Sequence, residues 1–150
     1  MMAGRATKTT HAPVLSDDIT TVDWNRLAAV FERAPLGKRD PETLRETFRN
    51  SGVRCFALDK GLLVGAGRAI TDWVNYAVIF DVVLLPEYQG KGIGKRIMKY
   101  LAERSKARNV LLHSVPGKEQ FYKALGYRRM KTAMGLFADP ETKRQQGYIE

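Results

Sequence analysis

The chain has 150 residues and a mass of 16.9 kDa, which suits one globular domain and is short for two. Apolar residues make up 44% of it and charged residues 27%, as in folded soluble domains, and no apolar stretch approaches the roughly 20 residues that span a bilayer. The net charge is +9, and the twelve Lys or Arg residues and three acidic residues between Pro86 and Met134 account for all of it. Such a concentration of positive charge attracts a polyanion.

The two ends and the single cysteine set further limits. Residues 1–10 are basic and polar and lack the apolar core of a secretion signal, so we expect a cytoplasmic protein. Residues 139–150 are also polar, and we expect a single domain 1–150 with loosely held or peripheral ends at 1–10 and 139–150. Because Cys55 is the only cysteine in the sequence, the chain cannot form an internal disulfide. The apolar neighbours of Cys55 predict a buried, unreactive thiol.

Two helices are predicted before the first long strand. Asp23 can cap the first, whose apolar residues fall on one face, and Pro35-Leu36-Gly37 stops it. Asp40-Pro41 supplies the cap and first residue of the second helix, which Asn50-Ser51-Gly52 breaks. A short strand near residues 12–15 is predicted to precede both helices.

Apolar runs then predict three strands. Residues 53–58 and 62–70 are separated by Asp59-Lys60-Gly61, which is typical of a hairpin. Residues 74–85 are almost continuously apolar, as expected of a strand covered on both faces, and Pro86 ends it.

The second half of the chain predicts two more helices. The longer one carries apolar residues at helical spacing from Ile93 onward, and the shorter one covers residues 118–125 and is closed by Gly126. A strand at residues 109–113 separates them. Together the elements describe a mixed α/β domain with one central sheet. The predicted final strands are residues 127–130 and 133–137.

The most informative segment is residues 89–95, Gln-Gly-Lys-Gly-Ile-Gly-Lys, which joins the buried strand to the longer helix. Glycines let the main chain approach an anion closely, and exposed N–H groups and the helix dipole attract it. Lys91 and Lys95 add full charges. The segment is therefore predicted to hold a diphosphate.

Two nucleotide-binding motifs are excluded. A P-loop needs Gly, four residues, then Gly-Lys and Ser or Thr, and nothing in the sequence matches. The dinucleotide fingerprint starting at Gly90 and Gly92 would place its third glycine at position 95, which is Lys95.

Gln89, Gly92 and Gly94 instead fill a pattern of Arg or Gln, two residues, Gly, one residue, then Gly or Ala. The segment resembles the pyrophosphate-binding signature of the GCN5-related N-acetyltransferase (GNAT) superfamily. Residues 121–127, Phe-Tyr-Lys-Ala-Leu-Gly-Tyr, resemble that family's Tyr helix, and the order of elements agrees over residues 23–138. Within the superfamily, the sequence looks closest to small plant and cyanobacterial serotonin N-acetyltransferases and their bacterial relatives. The stretches that carry this closer likeness are residues 65–68, 71–72, 79–84, 88–90 and 134–140.

The resemblance implies a mixed central sheet with flanking helices and a splayed strand pair that holds acetyl-CoA as co-substrate. Main-chain N–H groups near Val83 and Leu84 would meet the thioester oxygen and the pantetheine arm. Lys118 or Lys123, which flank the Tyr122 helix, could meet the ribose phosphate or be solvated surface lysines. No metal is implied, and His11 and His113 offer no metal pair. The implied coenzyme-binding residues are Val83, Leu84, Gln89, Gly90, Lys91, Gly92, Ile93, Gly94, Lys95, Lys118 and Tyr122.

Three residues are candidates for proton transfer. Tyr122 stands at the family's general-acid position, where a hydroxyl can protonate the departing thiolate. Asp81 is the only acid in the 74–85 strand, and it is either a general base or a group that accepts backbone or Tyr hydrogen bonds and shapes the site. Tyr88 is a second candidate near the thioester.

The function that the resemblance implies is acetyl transfer to a primary amine of a small molecule, by direct attack in a ternary complex. The acceptor would be aromatic or polyamine-like and would enter between residues 35–41 and residues 134–137. A protein lysine or N-terminal acetyltransferase and a non-catalytic acyl-CoA sensor are the alternatives. Nucleic-acid binding is disfavoured because the basic helix lacks interleaved exposed aromatic residues and the sequence has no recognisable nucleic-acid-binding motif. An exposed edge at the predicted final strands would suit a homodimer.

Overall fold

The structure is a computed structural model that describes residues 11–150. Two compact units divide the chain, Met1–Leu111 and Leu112–Glu150. The single domain 1–150 stays a prediction, and the loose end predicted at residues 1–10 lies outside the described residues. In the part of the chain that is described, no helix is both long and apolar enough to cross a membrane.

One five-stranded sheet forms the centre of the first unit, with its strands in chain order. The first four strands pair antiparallel in succession. The N–H groups of Arg108 and Asn109 donate to the carbonyls of Val74 and Asn75 at 3.3 and 2.9 Å. These hydrogen bonds place the starts of the fourth and fifth strands side by side. This pair therefore runs parallel, and the predicted mixed sheet is confirmed. The strands are β1 (Val14–Ser16), β2 (Val53–Asp59), β3 (Leu62–Thr71), β4 (Tyr76–Leu84) and β5 (Asn109–Leu112).

The predicted helices of this unit are present. Asp23 accepts the Arg26 N–H at 3.0 Å, and Asp40 accepts the Thr43 N–H at 2.8 Å, so both helices that precede β2 begin with a carboxylate cap. The third helix lies between β4 and β5 and begins after Gly92. The helices are α1 (Trp24–Arg33), α2 (Pro41–Arg49) and α3 (Ile93–Arg104).

The core lies on both faces of the sheet. On one face, the rings of Trp24 and Phe48 pack against Phe56 of β2, with ring centroids 6.0 and 5.5 Å from it. On the other face α3 lies so close to β3 that a Cβ atom at Gly67 would come within 2.8 Å of the Leu101 side chain. Glycine at this position therefore lets the helix pack directly on the sheet.

The second unit contains two short helices, α4 (Glu119–Ala124) and α5 (Pro140–Gln145). The final strands predicted at residues 127–130 and 133–137 are wrong, because these residues form no strand. Met134 and Leu136 are almost fully exposed, so their alternating apolar pattern is not matched by a sheet partner.

The loosely held or peripheral end predicted at residues 139–150 stays a prediction, and the structure places α5 within it. Asp139 accepts the Thr142 N–H at 3.0 Å and caps α5, with Pro140 at the first helical position. This is the same Asp-Pro signal that opens α2, and it predicts a helix start in both places.

Candidate functional site

A β-bulge interrupts β4 in the middle of the sheet. Ala66 faces Val83 and Arg68 faces Phe80, so Gly67 of β3 is opposite two residues, Asp81 and Val82. Asp81 takes a φ of 54°, which is rare for a residue other than glycine. Because of the extra residue, Arg68 contacts both Phe80 and Asp81.

Two guanidinium groups face the Asp81 carboxylate. Arg68 Nε donates to Asp81 Oδ2 at 2.7 Å, and Arg39 Nη2 lies 3.9 Å from Oδ1. Arg68 also donates to Ser51 Oγ at 3.2 Å and lies over the Phe80 ring at 4.9 Å. Backbone or Tyr partners were predicted for a structural Asp81, and its partners are arginines instead.

The end of β4 is held tightly to its neighbour. A Cβ atom at Gly65 would lie 2.7 Å from the Leu84 side chain and 2.8 Å from the Val83 carbonyl oxygen. The Gln89 side-chain amide donates to the Leu84 carbonyl at 3.0 Å, which ties the glycine-rich segment back to the strand. Gln89 therefore has a structural partner within the chain at the position where a coenzyme contact is predicted.

The glycine-rich segment leaves main-chain donors open. Gly90 and Gly92 adopt φ values of 74° and 81°, and a Cβ atom at either would meet nothing within 4 Å. No side chain caps α3, in contrast to the aspartates that cap α1 and α2. The N–H groups of its first turn, with the positive end of the dipole, can therefore bind an anion. Ile93 is buried, so it can contribute only through its main chain.

Two contacts anchor the turn that precedes this segment. Arg33 at the end of α1 forms a bidentate salt bridge with Glu87, in which Nη1 donates to Oε1 at 3.0 Å and Nη2 donates to Oε2 at 2.9 Å. Tyr88 donates its hydroxyl to Asp59 at 2.5 Å, and this hydrogen bond raises the pKa of Tyr88. The Lys91 ammonium lies 5.8 Å from the Tyr88 ring. The hydroxyl of Tyr88, a predicted catalytic candidate, is thus directed at Asp59.

Tyr122 lies on α4 in the second unit. Its ring packs edge-on against Phe121 and Tyr127, with centroids 5.0 and 6.3 Å away. Burial, and after it the hydroxyls of Tyr127 and Tyr148, raise the pKa of Tyr122 above its ordinary value of 10.0. The hydroxyl therefore keeps its proton at neutral pH, as a general acid must.

The predicted site residues fall in both units. Lys118 and Tyr122 belong to the second unit, where Lys118 is exposed at the start of α4. The others belong to the first unit, at the bulge of β4, at its end and in the glycine-rich segment. These are Asp81, Val83, Leu84, Tyr88, Gln89, Gly90, Lys91, Gly92, Ile93, Gly94 and Lys95. Among residues 11–150, no three His, Cys, Asp or Glu residues form a group that could hold a metal ion.

The sequence analysis missed the partners of these residues. Arg39 lies in the connection between α1 and α2, Arg68 lies on β3, and Asp59 ends the hairpin strand β2. Each is separated from its partner by 13 or more residues in sequence. The one signal that could have found Arg68 is its position within an otherwise small and apolar strand.

Cys55 is fully buried, as predicted, and burial raises the pKa of its thiol to about 12. A thiol that is neither accessible nor ionised does not attack a thioester. We expect iodoacetamide at pH 8 to leave the mass of the folded protein unchanged, and unfolding in urea to restore one alkylation per chain. Alkylation of the folded protein with loss of activity would contradict this and would point to an acyl-cysteine step.

Comparison with known proteins identifies the family to which this arrangement belongs. The family model described as "Acetyltransferase (GNAT) family" matches residues 20–127. The serotonin N-acetyltransferase 2, chloroplastic, of Oryza sativa subsp. japonica is 32% identical over 115 residues, which are 72% of this chain and 58% of the relative. An uncharacterized N-acetyltransferase ycf52-like protein of Prochlorococcus marinus is 38% identical over 116 residues, covering 73% of this chain and 64% of the relative. The chain thus spans about three-fifths of the length of these two relatives.

Solved structures show the same fold. A putative acetyltransferase from Deinococcus radiodurans superposes with a TM-score of 0.73 at 24% identity, covering 91% of this chain and 94% of that structure. A probable acetyltransferase from Staphylococcus aureus superposes with a TM-score of 0.72 at 22% identity, covering 85% of this chain and 98% of that structure. The family model, the curated relatives and the fold agree, and the chain belongs to the GNAT acetyltransferase family.

Proposed function

We propose that this protein is an acetyl-CoA-dependent N-acetyltransferase that acts on a primary amine of a small molecule. The observation that carries the proposal is the uncapped start of α3, which follows Gly90 and Gly92 in left-handed conformations and offers free main-chain donors to a diphosphate. The relative from rice is named for an amine acceptor, serotonin, which supports the small-amine class.

The residues present fit the coenzyme. No side chain fills the space above Gly90 and Gly92, and the exposed Lys91 and Lys95 add two positive charges beside them. Arg33–Glu87 and Tyr88–Asp59 fix the turn before the glycines, so that the donors are ordered before any ligand arrives. When bound, acetyl-CoA supplies the thioester carbon that the amine attacks, so that a C–N bond forms as the C–S bond breaks.

The chain's own groups would manage two protons in this transfer. Asp81 binds the acceptor through Oδ1, takes the proton that the ammonium group must lose before its nitrogen can attack, and releases it to solvent. A second proton leaves the nitrogen for solvent as the amide forms. The Tyr122 hydroxyl gives its proton to the leaving thiolate and recovers one from solvent. Main-chain N–H groups at the end of β4, near Val83 and Leu84, would stabilise the negative charge on the thioester oxygen; one such donor is typically worth about 3 kcal/mol.

Replacing Asp81 by Asn tests the base. We expect kcat/KM for the amine to fall about 100-fold, because Asn can still accept from Arg68 but cannot take up a proton. Thermal unfolding of the variant serves as the control for folding, since Arg68 loses its counter-ion. If kcat/KM is unaltered, Asp81 is not the base.

A panel of acceptors tests the function itself. Thiol release from acetyl-CoA is measured with serotonin, tryptamine, putrescine, spermidine, a lysine-containing peptide and a peptide with a free N-terminus. We expect release with one of the small-amine classes and little with the peptides. Release with peptides alone would show a protein acetyltransferase, and silence across the panel with tight acetyl-CoA binding would show a sensor. The cytoplasmic location and the homodimer remain predictions.

A further inference from the structure

We propose that Arg39 holds the place of the acceptor's ammonium group at Asp81 and is displaced when a cationic amine binds. The proposal rests on the proposed function, since it assigns the amine subsite of the same site. It makes Arg39 a residue that sets affinity for the acceptor without taking part in the transfer.

The two arginines at Asp81 are bound very differently. Arg68 is 14% exposed and is fixed by Asp81, by Ser51 Oγ and by the Phe80 ring. Arg39 is 42% exposed, and its Nη2 lies 3.9 Å from Oδ1, which is too far for a hydrogen bond. Within the described residues, Asp81 Oδ1 accepts no hydrogen bond, whereas Oδ2 accepts one. Oδ1 is therefore the oxygen that a new donor can use.

Charge balance explains why Arg39 would have to leave. With both arginines in place, two positive charges surround one carboxylate, and a third cation would be repelled. Exchanging Arg39 for an ammonium group keeps the local charge unchanged. It also gains a direct hydrogen bond to a carboxylate, which is stronger than one between neutral groups.

Arg39 has another position available to it. It lies in the connection between α1 and α2, where its guanidinium carbon is already 5.2 Å from the Phe31 ring centroid. An arginine this exposed loses little when it moves into solvent, because exposed ion pairs contribute up to about 1 kcal/mol. Displacement by a substrate group is therefore energetically feasible.

The test compares Arg39→Gln with a matched variant, Arg45→Gln. Arg45 lies on α2 and is 54% exposed, and among residues 11–150 its ion pair is with Glu42 at 3.6 Å. Its replacement by Gln removes the same charge. We expect Arg39→Gln to lower the KM for tryptamine about two- to fivefold, with kcat and the KM for acetyl-CoA unchanged. The KM of Arg39→Lys for tryptamine should fall between those of Arg39→Gln and the wild type, and the KM of Arg45→Gln should equal that of the wild type.

Tryptophol, which carries a hydroxyl where tryptamine carries the ammonium group, separates charge from space. Its inhibition constant should be the same for wild type and Arg39→Gln. If the affinity for tryptophol rises as much as that for tryptamine, Arg39→Gln acts only by removing a steric obstacle. If the KM for tryptamine rises, Arg39 itself binds the acceptor. Either result, or an unchanged KM, would overturn the proposal.

Calorimetry with tryptamine in the presence of coenzyme A keeps this result distinct from the proposed function. Tighter tryptamine binding to Arg39→Gln, without turnover of tryptamine or of any other amine in the acceptor panel, would support the subsite and contradict the transferase. If tryptamine is turned over and binds wild type and Arg39→Gln with equal affinity, the subsite proposal alone is contradicted. If tryptamine binds to neither protein, the subsite proposal is also overturned.

Discussion

Replacing Gly92 by Asp is expected to raise the KM for acetyl-CoA about 100-fold. A carboxylate at this position would lie beside the first-turn N–H groups of α3 that the diphosphate needs, although the left-handed backbone of Gly92 differs from the extended backbone from which Asp23 and Asp40 cap α1 and α2. It would also place a negative charge against the phosphates. The effect should appear in acetyl-CoA affinity, measured by calorimetry, and leave the amine KM nearly unchanged.

Gly92→Ala is the matched control at the same position. Any side chain at a φ of 81° is strained by about 1 kcal/mol, so both variants lose some stability. A Cβ there meets nothing within 4 Å, and the alanine variant should lose acetyl-CoA affinity only a few-fold. Equal affinities for the two variants would show that the uncapped helix start does not bind the coenzyme.

Replacing Tyr122 by Phe is the second large effect. We expect kcat to fall about 100-fold, because the thiolate would then leave without a proton donor, while the dissociation constant of acetyl-CoA stays within about twofold of wild type. Stopped assays of thiol release and calorimetry on the same preparation measure both quantities.

Tyr127→Phe provides the comparison for this change. Tyr127 belongs to the same unit, packs edge-on against Tyr122, and has a pKa that burial also raises. Removing its hydroxyl should leave kcat nearly intact. Unchanged turnover in Tyr122→Phe, or an equal loss in both variants, would remove Tyr122 from the mechanism.

Much of the first unit could be predicted from the sequence, because local signals specified it. Aspartate caps start α1 and α2 where predicted, the Asp59-Lys60-Gly61 turn joins β2 to β3, and the glycine-rich segment leads into α3. Each of these signals acts over a few residues and needs no partner elsewhere in the chain.

The features that could not be predicted depend on residues that are distant in sequence. Residues 133–137 alternate as a strand does, but a strand forms only where a neighbouring edge pairs with it. The partners of Asp81 and Tyr88 were also missed, because Arg39, Arg68 and Asp59 meet them only once the sheet and helices have packed. The bulge at Asp81 likewise arises from the register between β3 and β4.

Mass spectrometry of one reaction distinguishes direct acetyl transfer to the amine from transfer through the protein. The protein is incubated with acetyl-CoA and the small amine that gives the fastest thiol release. The masses of the amine and of the intact protein are then measured. For direct transfer, we expect the amine to gain one acetyl group per thiol released and the mass of the protein to stay unchanged at all times. An acetylated protein that passes its acetyl group to the amine, or thiol release without acetylated amine, would contradict direct transfer.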